Sequence, residues 1–184
     1  MAESKIVLHP VDPWAILQDP TLLLDALRQR GMIGAAYSHF GELHYKAGPR
    51  FRELVAFRSA GAGTGFEASF HASLLETQAD PVFLGGANVQ PPKCPGCQGR
   101  FVDWRTQLTE WQQAPDRHGH HWTCRKCGRR VPVGNLDWLR AGGIARYALD
   151  LWGVRENEAV PSAELLDALR EATAAEWTYF YYRL

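Results

Sequence analysis

Cys94-Pro95-Gly96-Cys97 and Cys124-Arg125-Lys126-Cys127 are two CxxC turns separated by 26 residues, and they hold every cysteine of the 184-residue chain. A CxxC turn brings two thiolates toward one point while the backbone amides between them face the sulfurs. Two such turns supply the four soft ligands that tetrahedral zinc prefers. The expected ligands are therefore Cys94, Cys97, Cys124 and Cys127 around Zn2+. Gly96 lies in the first turn and Gly128 follows the second, positions where glycine lets the chain turn around a metal at positive φ.

The same four ligands at this spacing suit iron in a rubredoxin-like site, so iron stays open. Two disulfides are disfavoured, because the first residues show no export-signal pattern and a chain of this size folds without such staples. His118, His120 and His121 lie between the pairs and are alternative ligands for one cysteine, although a solvated position around Gly119 is the simpler expectation. Four thiolates leave no coordination position for water or substrate, so the expected role of the metal is structural.

This pattern resembles a zinc ribbon over residues 91–133, about a quarter of the chain, and the resemblance carries over only the four cysteines as ligands. The reading divides the chain into an inserted module at 91–133 and a discontinuous scaffold formed by 1–90 and 134–184. The chain as a whole resembles a group of uncharacterised bacterial proteins with a central CPxC and CxxC, some labelled sugar-transporter ATPases. This sequence contains no phosphate-binding P-loop, so that label implies no activity here.

Outside the module the residues suggest an α+β scaffold, an antiparallel sheet of about four strands with two helices. Asp19-Pro20 reads as N-cap and first helical position, with Leu23, Ala26 and Leu27 on one face and Gly31 just beyond the end. Pro161-Ser162 opens a second helix with Leu165, Leu169 and Ala172 in register. The hexapeptide Leu23-Leu24-Asp25-Ala26-Leu27-Arg28 recurs as Leu165-Leu166-Asp167-Ala168-Leu169-Arg170, once in each expected helix.

Strands are expected at residues 54–58, 68–75 and 146–152, and the aromatic run 177–182 has high strand propensity. Residues 1–18 hold the short apolar run Ile6-Val7-Leu8 and then His9-Pro10 and Asp12-Pro13, whose prolines interrupt regular structure, and read as a short edge strand or an extended arm. Residues 32–48 carry only a weak signal. Gly61-Ala62-Gly63-Thr64-Gly65 lacks the Lys-Ser or Lys-Thr ending of a phosphate loop and is expected to be a hairpin connection.

Apolar residues make up 46% of the chain and charged residues 22%, which excludes bulk disorder, and no apolar run reaches the length of a membrane span. A cytoplasmic protein is expected. The formal net charge is zero, but residues 91–146 hold ten Lys or Arg against four Asp or Glu, so the module is basic and its host mildly acidic. The chain has no GxSxG, no HExxH and no Walker lysine, and His71-Ala72-Ser73 is not the HxE that a zinc deaminase needs. His39 and His44 flank Glu42 as a candidate acid–base group, but no second converging group is visible, and no catalytic residue is assigned.

Two classes of function follow. The first is a non-enzymatic adaptor whose zinc module, with Trp104, Trp111, Trp122 and Trp138, meets a protein partner. The alternative is nucleic-acid binding through Arg125, Lys126, Arg129 and Arg130 with Trp122 available for stacking. An enzyme with an unrecognised pocket is the least favoured.

Overall fold

The first expected helix forms where Asp19 and Pro20 start it. In the computed structural model, which describes residues 4–58, 70–75 and 79–184, α1 runs Pro20–Gln29 and the Asp19 carboxylate accepts the Thr21 amide at 2.8 Å. Its partner α4, Ala163–Thr173, starts at Ser162, whose hydroxyl accepts the Leu165 amide at 3.2 Å. The repeated hexapeptide buries equivalent leucines in both helices: Leu23 and Leu27 in α1, Leu165 and Leu169 in α4. Each copy also closes the same i,i+3 ion pair, Arg28 with Asp25 and Arg170 with Asp167, both at 2.8 Å.

The expectation of about four strands and two helices is overturned. The main sheet has six antiparallel strands, and three two-stranded sheets accompany it, with four helices among the described residues. The large sheet is built from β1 (Ser4–Pro10), β2 (Ile33–His39), β3 (Glu42–Ala47), β5 (His71–Leu75), β10 (Ala148–Trp152) and β12 (Trp177–Arg183). Their order is β12-β1-β10-β5-β3-β2. β1 is therefore paired on both sides and is not an edge strand.

Residues 32–48, weak in sequence, form the β2–β3 hairpin, turning at Phe40 (φ 49) and Gly41 (φ 85). Two positive φ values in succession suit a tight hairpin whose twist matches that of its strands. Residues 54–58 split into the end of α2 (Phe51–Leu54) and β4 (Val55–Phe57), which pairs with β11 (Ala159–Pro161). The third pair is β6 (Val82–Gly85) with β9 (Gly142–Ala145). The glycine-rich segment 61–65 and the first residues of the strand expected at 68–75 lie outside the described residues.

Side chains alternate across a strand, so the sheet has two distinct faces. One face, including Ile6, Leu8, Tyr45, Ala72, Leu149 and Leu151, packs against the leucines of α1 and α4 to make the main core. Full burial of each leucine is worth about 1.5–3 kcal/mol. The other face carries Val7, Ala148 and Phe180 in a small apolar cluster, then becomes polar toward β5, β3 and β2. The outer edge of β12 is covered: Asn88 donates its side-chain amide to the Tyr181 carbonyl at 2.8 Å, and the Tyr181 amide donates to the Arg140 carbonyl at 2.9 Å. Among the described residues no helix is long and apolar enough to cross a membrane.

Candidate metal centre

A second core surrounds the cysteines. Between the two CxxC turns the chain forms α3 (Trp104–Gln113), then the hairpin of β7 (His121–Thr123) and β8 (Arg130–Pro132). Trp104, Leu108 and Trp111 recur every three to four residues and face inward. They meet Phe101, Trp122, Val131, Val133, Leu136, Trp138 and Ile144, with Cys94 and Cys124 at the metal side of the cluster. Phe83 and Ile144, from β6 and β9, belong to the same packing, and Lys93 and Asp137 exchange backbone hydrogen bonds at 2.9 and 3.0 Å.

The two CxxC turns are built alike. The Cys94 amide donates to the Gly99 carbonyl and the Gln98 amide to the Cys94 carbonyl, both at 2.9 Å. In the second turn the Cys124 amide donates to Arg129 at 2.9 Å and the Gly128 amide to Cys124 at 2.8 Å. Gln98 and Gly128 are the left-handed residues of these turns. Gly96, expected to take that role, does not have positive φ; a Cβ there would instead lie 2.8 Å from the Arg129 guanidinium.

The four sulfurs converge. All four ligand atoms lie within 4.8 Å of one another, with Cys94 to Cys127 at 3.8 Å and Cys97 to Cys124 at 3.6 Å. Thiolates bound tetrahedrally to zinc at about 2.3 Å stand about 3.8 Å apart, so the spacing fits one ion. The cysteines are free, not joined as cystines. His118, His120 and His121 are not part of the cluster: His118 packs on Trp14 with ring centres 5.0 Å apart, and His121 Nδ1 contacts the Gly119 carbonyl at 2.7 Å.

The local electrostatics favour uneven deprotonation. At Cys124 the Cys127 amide stabilises the thiolate first, burial opposes it, and the Lys126 amide and neighbouring thiols add to the stabilisation, bringing the thiol down to about 7. At Cys97 the Gly99 contribution favours the thiolate, but burial and the three surrounding sulfurs outweigh it and push the thiol up to about 11. A metal ion that gathers four thiolates must therefore displace protons, and its affinity rises with pH.

Arg125, Lys126, Arg129 and Arg130 are exposed around the second turn. Arg125 pairs with Asp103, while among the described residues Lys126, Arg129 and Arg130 have no carboxylate partner. Trp122 is 2% exposed and packs against Phe101 and Trp138, inside the second core and away from the exposed guanidiniums.

The structure also brings together residues that the sequence kept apart. His39, His44 and His71 come from β2, β3 and β5 and share the polar face of the large sheet. His71 is 27 positions from His44, with no motif linking them, so sequence spacing alone gave no signal. Compared with known proteins, the chain matches no family model, no curated protein and no solved structure.

Proposed function

We propose that this protein is a non-enzymatic binding protein in which a structural Zn2+ ion, held by Cys94, Cys97, Cys124 and Cys127, fixes a cationic surface for an acidic protein partner. The observation that carries this reading is the convergence of four thiols within 4.8 Å beneath Arg125, Lys126, Arg129 and Arg130, which are all exposed. Zinc is preferred over iron because paired CxxC turns supplying four thiolates are a usual ligand set of structural zinc sites. The module, residues 91–133, is read as an insertion in the scaffold of 1–90 and 134–184.

Nucleic acid is the second reading, favoured by the same cationic residues. The stacking platform expected of it is buried, since the Trp122 indole is enclosed by Phe101 and Trp138. That leaves phosphate contacts, which attract without selecting a sequence.

The test is capture of a stoichiometric partner from native lysate by wild type, Cys124→Ser and the double charge reversal Arg129→Glu/Arg130→Glu, with zinc content measured on each. Wild type retains the partner, the charge reversal loses it while keeping zinc, and Cys124→Ser loses both. Recovery of no stoichiometric partner, or one indifferent to the charge reversal, overturns the reading. Release of bound nucleic acid with a steep salt dependence favours the second.

A further inference from the structure

The polar face of the large sheet holds a cluster that the thiolate centre does not use. Cross-strand pairing sets Tyr37, His44, Ser73 and Asp150 in one row across β2, β3, β5 and β10. The neighbouring row is Lys46, His71, Trp152 and Lys5. His39, two residues after Tyr37, joins them on the same face. The three histidine ring centres are 5.0 Å (His39–His44), 5.3 Å (His39–His71) and 4.8 Å (His44–His71) apart, and the rings are tilted by 47–63° rather than stacked.

We propose that His39, His44 and His71 form a second metal site, for a divalent transition-metal ion of the class that imidazole binds, such as Zn2+, Ni2+ or Co2+. A ring nitrogen about 2.1 Å from such an ion puts the ring centre about 3.2 Å away, so three imidazoles sharing it have centres roughly 4.5–5.2 Å apart for angles between 90° and tetrahedral. The His39–His44 and His44–His71 separations fall in that interval, and His39–His71, at 5.3 Å, lies at its upper limit.

The surroundings favour the same assignment. His44 is 2% exposed; its Nε2 faces the Glu42 carboxylate at 3.8 Å, while its Nδ1 is buried without a hydrogen-bond partner. A carboxylate on one ring nitrogen with the other left to bind is how metal-ligating histidines are commonly oriented. Trp152 stacks on His71 with ring centres 5.7 Å apart and planes 8° apart, and its indole N–H is anchored on the Ser73 hydroxyl at 2.9 Å. Lys5, on the same face, is paired with Asp150. His39 and His71 are half-buried, which leaves a way in from solvent.

Only the four thiols already bring their ligand atoms within 4.8 Å among the described residues, so binding here requires the imidazoles to turn inward about their ring bonds. Three nitrogens, unlike four thiolates, leave a coordination position open for an exchangeable ligand.

The test is calorimetric titration with Ni2+ of tag-free protein whose thiolate site is already filled with zinc. Four forms are compared: wild type, His39→Ala, His71→Ala, and a control with His118, His120 and His121 all replaced by alanine. The expected result is one saturable equivalent of Ni2+ beyond the zinc, retained in the control and weakened at least about tenfold in each of the other two variants, whose sheet signal in far-UV circular dichroism is unchanged. His39 is half-buried beside the hairpin tip, so its removal tests the site even where His71→Ala fails to fold. No second equivalent, equal affinity in His39→Ala, or loss in the control instead overturns the proposal.

Discussion

Gln98 and Gly128 occupy equivalent places in the two cysteine turns, each four residues after the first cysteine and each left-handed, at φ 59 and φ 70. One turn meets the conformation with glycine; the other imposes it on a residue with a Cβ.

An L-residue in this region costs about 1–2 kcal/mol. Gly128→Val should therefore destabilise the protein by at least about 1 kcal/mol, the more so because a β-branched side chain resists positive φ. Gln98→Gly should leave stability equal or higher, since relief of the strain offsets the roughly 0.5–1 kcal/mol of extra freedom that glycine has when unfolded. Denaturant titration of both variants measures the difference.

Cys94→Ser should abolish metal retention and loosen the second core. Cys94 and Cys124 pack with Trp104, Trp122 and Trp138, so near-ultraviolet circular dichroism and tryptophan emission should change strongly. The six-stranded sheet has its own core under α1 and α4, and its far-ultraviolet signal should persist. A melt identical to wild type contradicts the coupling of metal to this core.

His9 is buried, and that burial holds its imidazole down to about 4, with the Pro10 carbonyl opposing and the Arg140 charge assisting. The unfolded chain takes up the proton first, at about 6.5, so this contribution to stability is complete above that pH and is lost as pH falls toward 4. The loss amounts to about 3 kcal/mol. Burial raises the Asp150 carboxyl, which works in the opposite sense. The His9 part is therefore read as the difference in pH slope between wild type and His9→Gln, in which it should vanish.

Lys5 and Asp150 form an ion pair within the sheet, with side chains only 14% and 12% exposed, and the ammonium also lies 4.1 Å from the Trp152 ring centre. Removing one partner strands the other charge. Lys5→Met and Asp150→Leu should each cost about 3 kcal/mol, whereas the double variant should lie closer to wild type. A double-mutant cycle by urea denaturation checks this.

The two helices were legible because their signals are local: a capping side chain, a proline at the first turn, leucines at helical spacing. The convergence of the four cysteines was legible because CxxC is a local geometry repeated once. What the residues hid was pairing at long range. β2, β6 and β9 contain Gly34, Gly85, Gly142 and Gly143, which dilute the alternation that marks a strand, and they are strands because of what lies beside them. α3 was overshadowed by the metal motif around it, although Trp104, Leu108 and Trp111 are spaced as a helix requires. The histidine cluster had no linear trace, being made by the register of β2 on β3 and β3 on β5.

The place of β1 between β10 and β12 has a consequence for the newborn chain. Residues Ile6, Val7 and Leu8 are synthesised well before their partners Leu149–Leu151 and Tyr179–Tyr181, which follow more than 140 residues later. At about 5–20 residues per second of synthesis, this apolar strand stays without neighbours for roughly 7–30 s. Throughout that interval it is open to chaperone capture, and the sheet's centre is assembled only after β10 and β12 have been made.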